Sequence, residues 1–328
     1  MEIGHQAAAI RPATGTPATA RRTAPVAGRL AWSAVVLGFI LIVIGAVVRV
    51  EGAGMGCGDD WPVCNGKIVP TYSYLTAIEY IHRVVAGIVL LLTAVLAFIA
   101  RRTTGRDDPR RWLAAVALVL VLAQAGLGAI TVVTELDPRI VTAHLALAEG
   151  YLALVLVIAL LGHQSTRTQA GTQSALRRAA LIAASATFAL LLSGAYTATS
   201  GAAWACPEWP TCQDRYVPTG WTLVDIHLLH RWLAVVALVA ITILALRALI
   251  STGPRSAATR IAGAALALVA FEILVGAANI WFELANWVRV SHLAVASLVW
   301  GCLVASVFLA ASSDSSENQA IDVPAPSL

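Results

Sequence analysis

The sequence predicts an all-α polytopic membrane protein: eight transmembrane helices forming two parallel four-helix bundles related by pseudo-two-fold symmetry. Three observations lead there. Hydrophobic residues fill 59% of the 328 positions and charged residues only 12%, about half the charged share of an ordinary soluble domain. The apolar residues gather into eight runs of at least about 18 residues, each able to cross a bilayer. The second half of the chain repeats the first at a nearly constant offset.

The runs lie near 30–48, 77–100, 112–133, 140–162, 178–198, 224–248, 259–281 and 289–311. Helices are the natural reading, because a chain in lipid must satisfy its own backbone hydrogen bonds. Barrel strands would alternate apolar and polar residues, and these runs do not. The first run is too long, and too poor in a cleavage site, for a removed signal peptide, and reads as a retained span. Residues 1–28, rich in Ala, Thr, Pro and Arg, and residues 312–328, ending in a Pro/Ser tail, read as disordered cytoplasmic extensions. Between them lie an N-terminal four-helix half (29–162), a cytoplasmic linker (163–177) and a C-terminal four-helix half (178–311).

The formal charge of +4 could suggest nucleic acid, but its placement argues otherwise. With the amino terminus inside, 15 of the 22 basic residues fall in cytoplasmic segments, among them Arg101, Arg102, Arg106, Arg110 and Arg111 in one loop. This is the positive-inside asymmetry. It puts both termini in the cytoplasm of a cell-membrane protein whose solvent is the lipid bilayer, with no nucleic acid partner.

Self-similarity at a fixed period is informative. The stretch from Gly45, GAVVRVEGAGMGCGDDWPVCNGKIVP, matches that from Gly194, GAYTATSGAAWACPEWPTCQDRYVP. Cys57 aligns with Cys206 at an offset of 149. One residue is then lost, and Cys64 falls on Cys212, His82-Arg83 on His230-Arg231, Gly128 on Gly276, Glu135-Leu136 on Glu283-Leu284 and His144 on His292. Each half carries an even number of spans, so the copies share one orientation and form parallel repeats.

The duplication sorts the seven histidines. His5 and His163 lie in cytoplasmic flanks without a counterpart. His82 and His144 sit early in the second and fourth spans, and His230 and His292 repeat them in the sixth and eighth. All four stand toward the extracytoplasmic side, at a depth where polar groups are costly and usually functional. Zinc sites usually want three or four protein ligands, often with Cys or carboxylate among them. Two histidines in an apolar bundle suit instead the axial positions of a heme iron, a disc that fills space between four helices. The propionates would then face the outer surface, where Arg83 and Arg231 follow a ligand histidine and could pair with carboxylates.

Glu79 precedes His82 by three residues, on the same helix face and one turn further out. Its aligned position is His227, so a carboxylate stands beside one site and not the other. Such a group relays protons or stabilises a cationic intermediate; the alternative is a cap at a helix start. Gln124 and Glu272, aligned in the third span of each half, read as helix–helix hydrogen-bonding residues. Cys57, Cys64, Cys206 and Cys212 form two pairs in loops on the oxidising side, where disulfides form. Each pair reads either as a structural staple or as a redox-active dithiol. Cys302, alone in the last span, reads as a small core residue.

Two parallel halves of four spans, EYIHR in the second span, a Cys pair in the first outer loop, and TAH and VSH in the fourth and eighth spans resemble heme A synthase, in an actinobacterial-type version. The resemblance covers residues 30–311. It implies an oxidoreductase that converts heme O to heme A by oxidising a ring methyl group to a formyl group, for aa3-type cytochrome c oxidase. It also implies that His82 and His144 hold the substrate heme, that His230 and His292 hold a heme b cofactor through its iron, and that Glu79 is catalytic. For Cys57 and Cys64 it implies a disulfide with a redox role. The sequence leaves open the electron acceptor, whether a heme O synthase (protoheme farnesyltransferase) passes on the substrate, and whether the chain forms an oligomer. The rival reading from the residues is a di-heme b-type membrane electron-transfer protein, which would need neither Glu79 nor the Cys pairs. A parallel-repeat transporter is a second rival, one that wants polar or broken helices at midplane.

Overall fold

The structure is a computed structural model that describes residues 18–71, 73–162 and 174–321, with side chains described over 26–71, 73–162 and 174–311. Its described residues form eight long α-helices: α1 (Ala18–Val50), α2 (Tyr74–Thr103), α3 (Pro109–Val133), α4 (Pro138–Leu161), α5 (Ser174–Thr199), α6 (Leu223–Thr252), α7 (Ala257–Trp281) and α8 (Asn286–Ile321). Each contains a stretch long and apolar enough to span a membrane. The chain is a multi-pass membrane protein.

Helix starts follow their capping residues. Ser73 accepts from Thr76 N to open α2, Asp108 and Asp137 each precede a proline at the head of α3 and α4, and Thr222 and Asp225 cap α6 reciprocally. A short polar side chain before the first turn satisfies an amide that the helix leaves free, and proline there loses no hydrogen bond.

The outer helices run further than expected. α1 begins at Ala18 and α8 continues to Ile321, so 18–28 and 312–321 are helical and not extended tails. The flank ATARRTA explains the first case: Ala and Arg are strong helix formers, and a helix already anchored by a span propagates cheaply. α5 likewise takes residues 174–177 from the expected linker. Residues 1–17, 163–173 and 322–328, with His5 and His163, lie outside the described residues.

Within the first half, α1 packs on α2 and α4, and α3 on α2 and α4; α5–α8 repeat this closed ring. The halves meet where α4 packs on α5 and α8 and α1 packs on α8. Each bundle has a core rich in alanine, which lets backbones approach closely: Ala31, Ala34, Ala100, Ala114, Ala117 and Ala159 in one half, Ala180, Ala183, Ala248, Ala262 and Ala265 in the other. These residues lie at the helix ends remote from the Cys loops. Cys302, as expected, packs beside the second core.

At the Cys-loop end, each loop folds into a short 3-10 turn (Ala53–Met55 and Ala202–Ala205) and a two-residue hairpin closed by the bridges Cys64–Lys67 and Cys212–Arg215. Both central residues of each hairpin have positive φ: Asn65 and Gly66, then Gln213 and Asp214. That geometry matches strand twist and favours Asn and Gly. The Trp61-Pro62 and Trp209-Pro210 peptide bonds are cis.

Candidate functional site

With the alanine cores at one end, the space between the helices opens at the other into one cavity of about 1120 Å³. This exceeds the roughly 300–1,000 Å³ of a pocket for one small molecule. Both halves contribute to its wall, including His82, His144, His230 and His292, and the cis Trp-Pro pairs roof it. The four histidines, distant in sequence, are thus brought to one space.

A helix glycine stands behind each of them. A Cβ at Gly45 would lie 3.3 Å from the His82 ring, at Gly128 3.2 Å from His144, at Gly194 2.8 Å from His230 and at Gly276 3.2 Å from His292. Each glycine is on the helix preceding its histidine, and each pair recurs in the repeat. The missing side chain is the room that the ring occupies. Sequence reading passed over this function, although the glycines stood in the alignment.

In the second half the imidazoles face each other. Their ring centres are 6.3 Å apart with planes crossed at 88°. Two imidazoles bound on opposite sides of one metal, each at about 2 Å, have ring centres about 6 Å apart. The residues therefore fit a bis-histidine heme. Ser193 Oγ lies 3.0 Å from His230 Nδ1, and Glu272 Oε1 stands 2.9 Å from His292 Nδ1, close to it but outside hydrogen-bond geometry. In the first half, His82 Nδ1 and His144 Nδ1 are buried without a polar partner.

This corrects one expectation: each half has a carboxylate near a histidine, Glu79 in the first and Glu272 in the second. Gln124 behaves as expected, donating to the backbone oxygen of His144 across the α3–α4 contact at 2.9 Å. Glu272 in the same register reaches the imidazole itself.

Glu79 is buried, lines the cavity and is no helix cap, since Ser73 opens α2. Its Oε1 accepts from Arg83 Nε (3.1 Å) and Nη2 (2.5 Å), and its Oε2 from Cys57 N–H (2.8 Å). In the aligned place, His227 Nδ1 lies 3.0 Å from Ala202 O. Glu79 thus ties the Cys57 end of its loop to α2, and His227 ties the 3-10 turn of the second loop to α6.

Arg83 and Arg231, expected to meet propionates, line the cavity and also hold the Cys loops. Arg83 Nη1 donates to Asp60 O and Val63 O; Arg231 donates to Glu208 O, Pro210 O and Thr211 O. An arginine has five N–H groups, and most of these are committed to loop carbonyls or Glu79. Cys57–Cys64 and Cys206–Cys212 are disulfides with all four residues buried. The first is joined through Cys57 N–H to Glu79, and hence to the cavity wall.

The chain matches the model of the cytochrome oxidase assembly protein family over residues 28–304. Among similar proteins, the heme A synthase of Alkalihalophilus pseudofirmus is 28% identical over 80% of this chain and 90% of its own length. The heme A synthase of Symbiobacterium thermophilum is 31% identical over 84% and 91%. That of an Exiguobacterium species is 32% identical over 61% and 66%. A family model that spans most of the chain, and relatives aligned over most of their length, agree with the duplicated histidine bundles: the chain belongs to the cytochrome oxidase assembly protein family, among its heme A synthases.

Proposed function

We propose that this chain oxidises a ring methyl group of heme O to a formyl group, with the N-terminal half as substrate site and the C-terminal half as the site of a resident b-type heme. Membership of the family makes it a heme-associated membrane oxidoreductase; the finer assignment rests on the difference between the two histidine pairs. His230 and His292 have Ser193 Oγ and a Glu272 oxygen within about 3 Å of their Nδ1 atoms, and such outer groups influence ring orientation and ligand basicity. His82 and His144 have no such partners at Nδ1. A permanent cofactor wants fixed ligands, whereas a substrate must be released after turnover.

In this reading His230 and His292 hold the b-type heme, which when bound supplies a redox centre for electrons leaving the substrate. His82 and His144 orient heme O in the first half. Two successive two-electron oxidations, their electrons passing on to an external acceptor, would each add one hydroxyl group to the methyl carbon, and the resulting gem-diol would lose water to give the aldehyde. Glu79 places a carboxylate, fixed by Arg83 and Cys57, in the wall of the substrate half. There it stabilises positive charge developing on the ring or accepts a proton. The distribution of basic residues supports both termini in the cytoplasm and the Cys loops outside.

The test is expression in a host that makes heme O, followed by extraction and mass spectrometry of the hemes. A heme A peak is expected. It should vanish in Glu79→Ala and in Glu79→Gln, the latter keeping an acceptor for Cys57 N–H, while bound b-type heme persists in both. Normal heme A from Glu79→Gln would remove the carboxylate from the mechanism.

A further inference from the structure

Two arginines in the cavity wall have no acidic partner among the described residues. Arg49 is in the last turn of α1, four residues beyond Gly45 and so one turn nearer the Cys loops than the His82 cradle. Arg289 is three residues before His292, one turn out on the same face of α8. Packing of α1 on α8 brings them to the junction of the halves, where both line the cavity and are partly buried. The two helix ends meet there: Asn286, in the first turn of α8, donates to Glu51, just past the end of α1, at 3.1 Å.

The neighbours do not neutralise them. Arg49 donates to Ala198 O at 2.6 Å, and Arg289 makes a long contact of 3.4 Å with Asn286 Oδ1. The nearby Glu51 carboxylate is engaged by Tyr74 and Asn286. Most of the N–H groups of both forks are therefore left for another acceptor. Nor is the pair a relic of duplication, since the aligned positions hold Ala198 and Val141. Two adjacent cations in an apolar wall are costly unless an anion joins them.

We infer that Arg49 and Arg289 form a carboxylate-binding pair that receives a propionate of the tetrapyrrole held in the cavity. The inference rests on the heme reading above and moves the propionate contact away from Arg83 and Arg231. Planar guanidinium forks suit a carboxylate, and a site one turn outside the histidines is where a ring held by them would direct its acidic edge.

The experiment is an absorbance titration of the full chain, made in cells unable to synthesise heme and purified in detergent, with iron protoporphyrin IX and with its dimethyl ester. The wild type should prefer the diacid. Combining Arg49→Gln with Arg289→Gln should weaken diacid binding about tenfold or more and leave the diester unchanged. Combining Arg49→Lys with Arg289→Lys should retain much of the preference. Equal loss for both ligands would mean a structural role and overturn the inference, as would no loss for either. A wild type that binds neither porphyrin would instead overturn the heme reading itself.

Discussion

Ser297 on α8 donates a hydrogen bond of 2.6 Å to Glu149 Oε1 on α4, and these two residues hold the same place in the two repeats. Arg49 and Ala198, also equivalent by the duplication, are joined at 2.6 Å. Residues at a two-fold axis meet their own counterparts, so both contacts belong at the seam between the halves. The pairs are unlike, Glu with Ser and Arg with Ala, which lets one donate and the other accept. Glu149 Oε2 is left without a partner. Ser297→Ala should therefore strand a buried carboxyl group and lower stability by about 1–3 kcal/mol. Thermal unfolding in detergent measures this, and an unchanged melting temperature would show the seam to be held by other contacts.

The glycine cradles give a graded prediction. Gly194→Ala brings a methyl group to 2.8 Å from the His230 ring, nearer than the corresponding change at Gly45, Gly128 or Gly276. Overpacking of this kind costs about 1–3 kcal/mol, and here it pushes on a proposed ligand. Gly194→Ala should lose more b-type heme on purification than Gly276→Ala. Heme content per chain, by pyridine hemochrome, reads the order directly.

Glu272 places a carboxyl oxygen 2.9 Å from His292 Nδ1. In its ionised form it favours the oxidised form of an iron bound through the same ring. Glu272→Gln should raise the midpoint potential of the b-type heme, as followed by redox titration. Gln124→Glu would put a carboxylate in the same register of the other half, and should leave that potential nearly unmoved. An unaltered potential in Glu272→Gln would argue that the carboxylate has no influence on the iron, and a lower one would contradict the electrostatic argument.

The two disulfides should separate under mutation. Each closes a short loop, and losing such a link costs about 2 kcal/mol. Replacing Cys206 and Cys212 by Ser should lower the melting temperature with little effect on heme A yield per folded chain. Replacing Cys57 and Cys64 by Ser should lower both, because Cys57 N–H holds Glu79. Equal effects on yield would assign both bridges to scaffolding alone.

Much of this was legible in the sequence because the strongest signals are local or periodic. Spans follow from hydropathy, and the four histidines from a repeat that places rare residues at one offset. What escaped depends on helix rotation and on loops that fold back. Arg83 and Arg231 read as outward-facing partners for an acid, yet the returning Cys loops offer carbonyls first. Glu272 and Gln124 occupy one register but reach different atoms, an imidazole and a backbone oxygen, and only packing decides which. The α1 and α8 extensions were missed because polar flanks of Ala, Arg and Ser read equally as coil.

The contrast between alanine-packed ends and a 1120 Å³ space at the other end bears on how the chain matures in the cell. One end is packed by its own side chains, whereas the other encloses the space proposed above for the hemes. A ligand that binds only the assembled form stabilises it by mass action. On the heme reading proposed above, tetrapyrrole supply therefore adds to the stability of the assembled chain, and the loaded chain should resist proteolysis longer than chain made without heme.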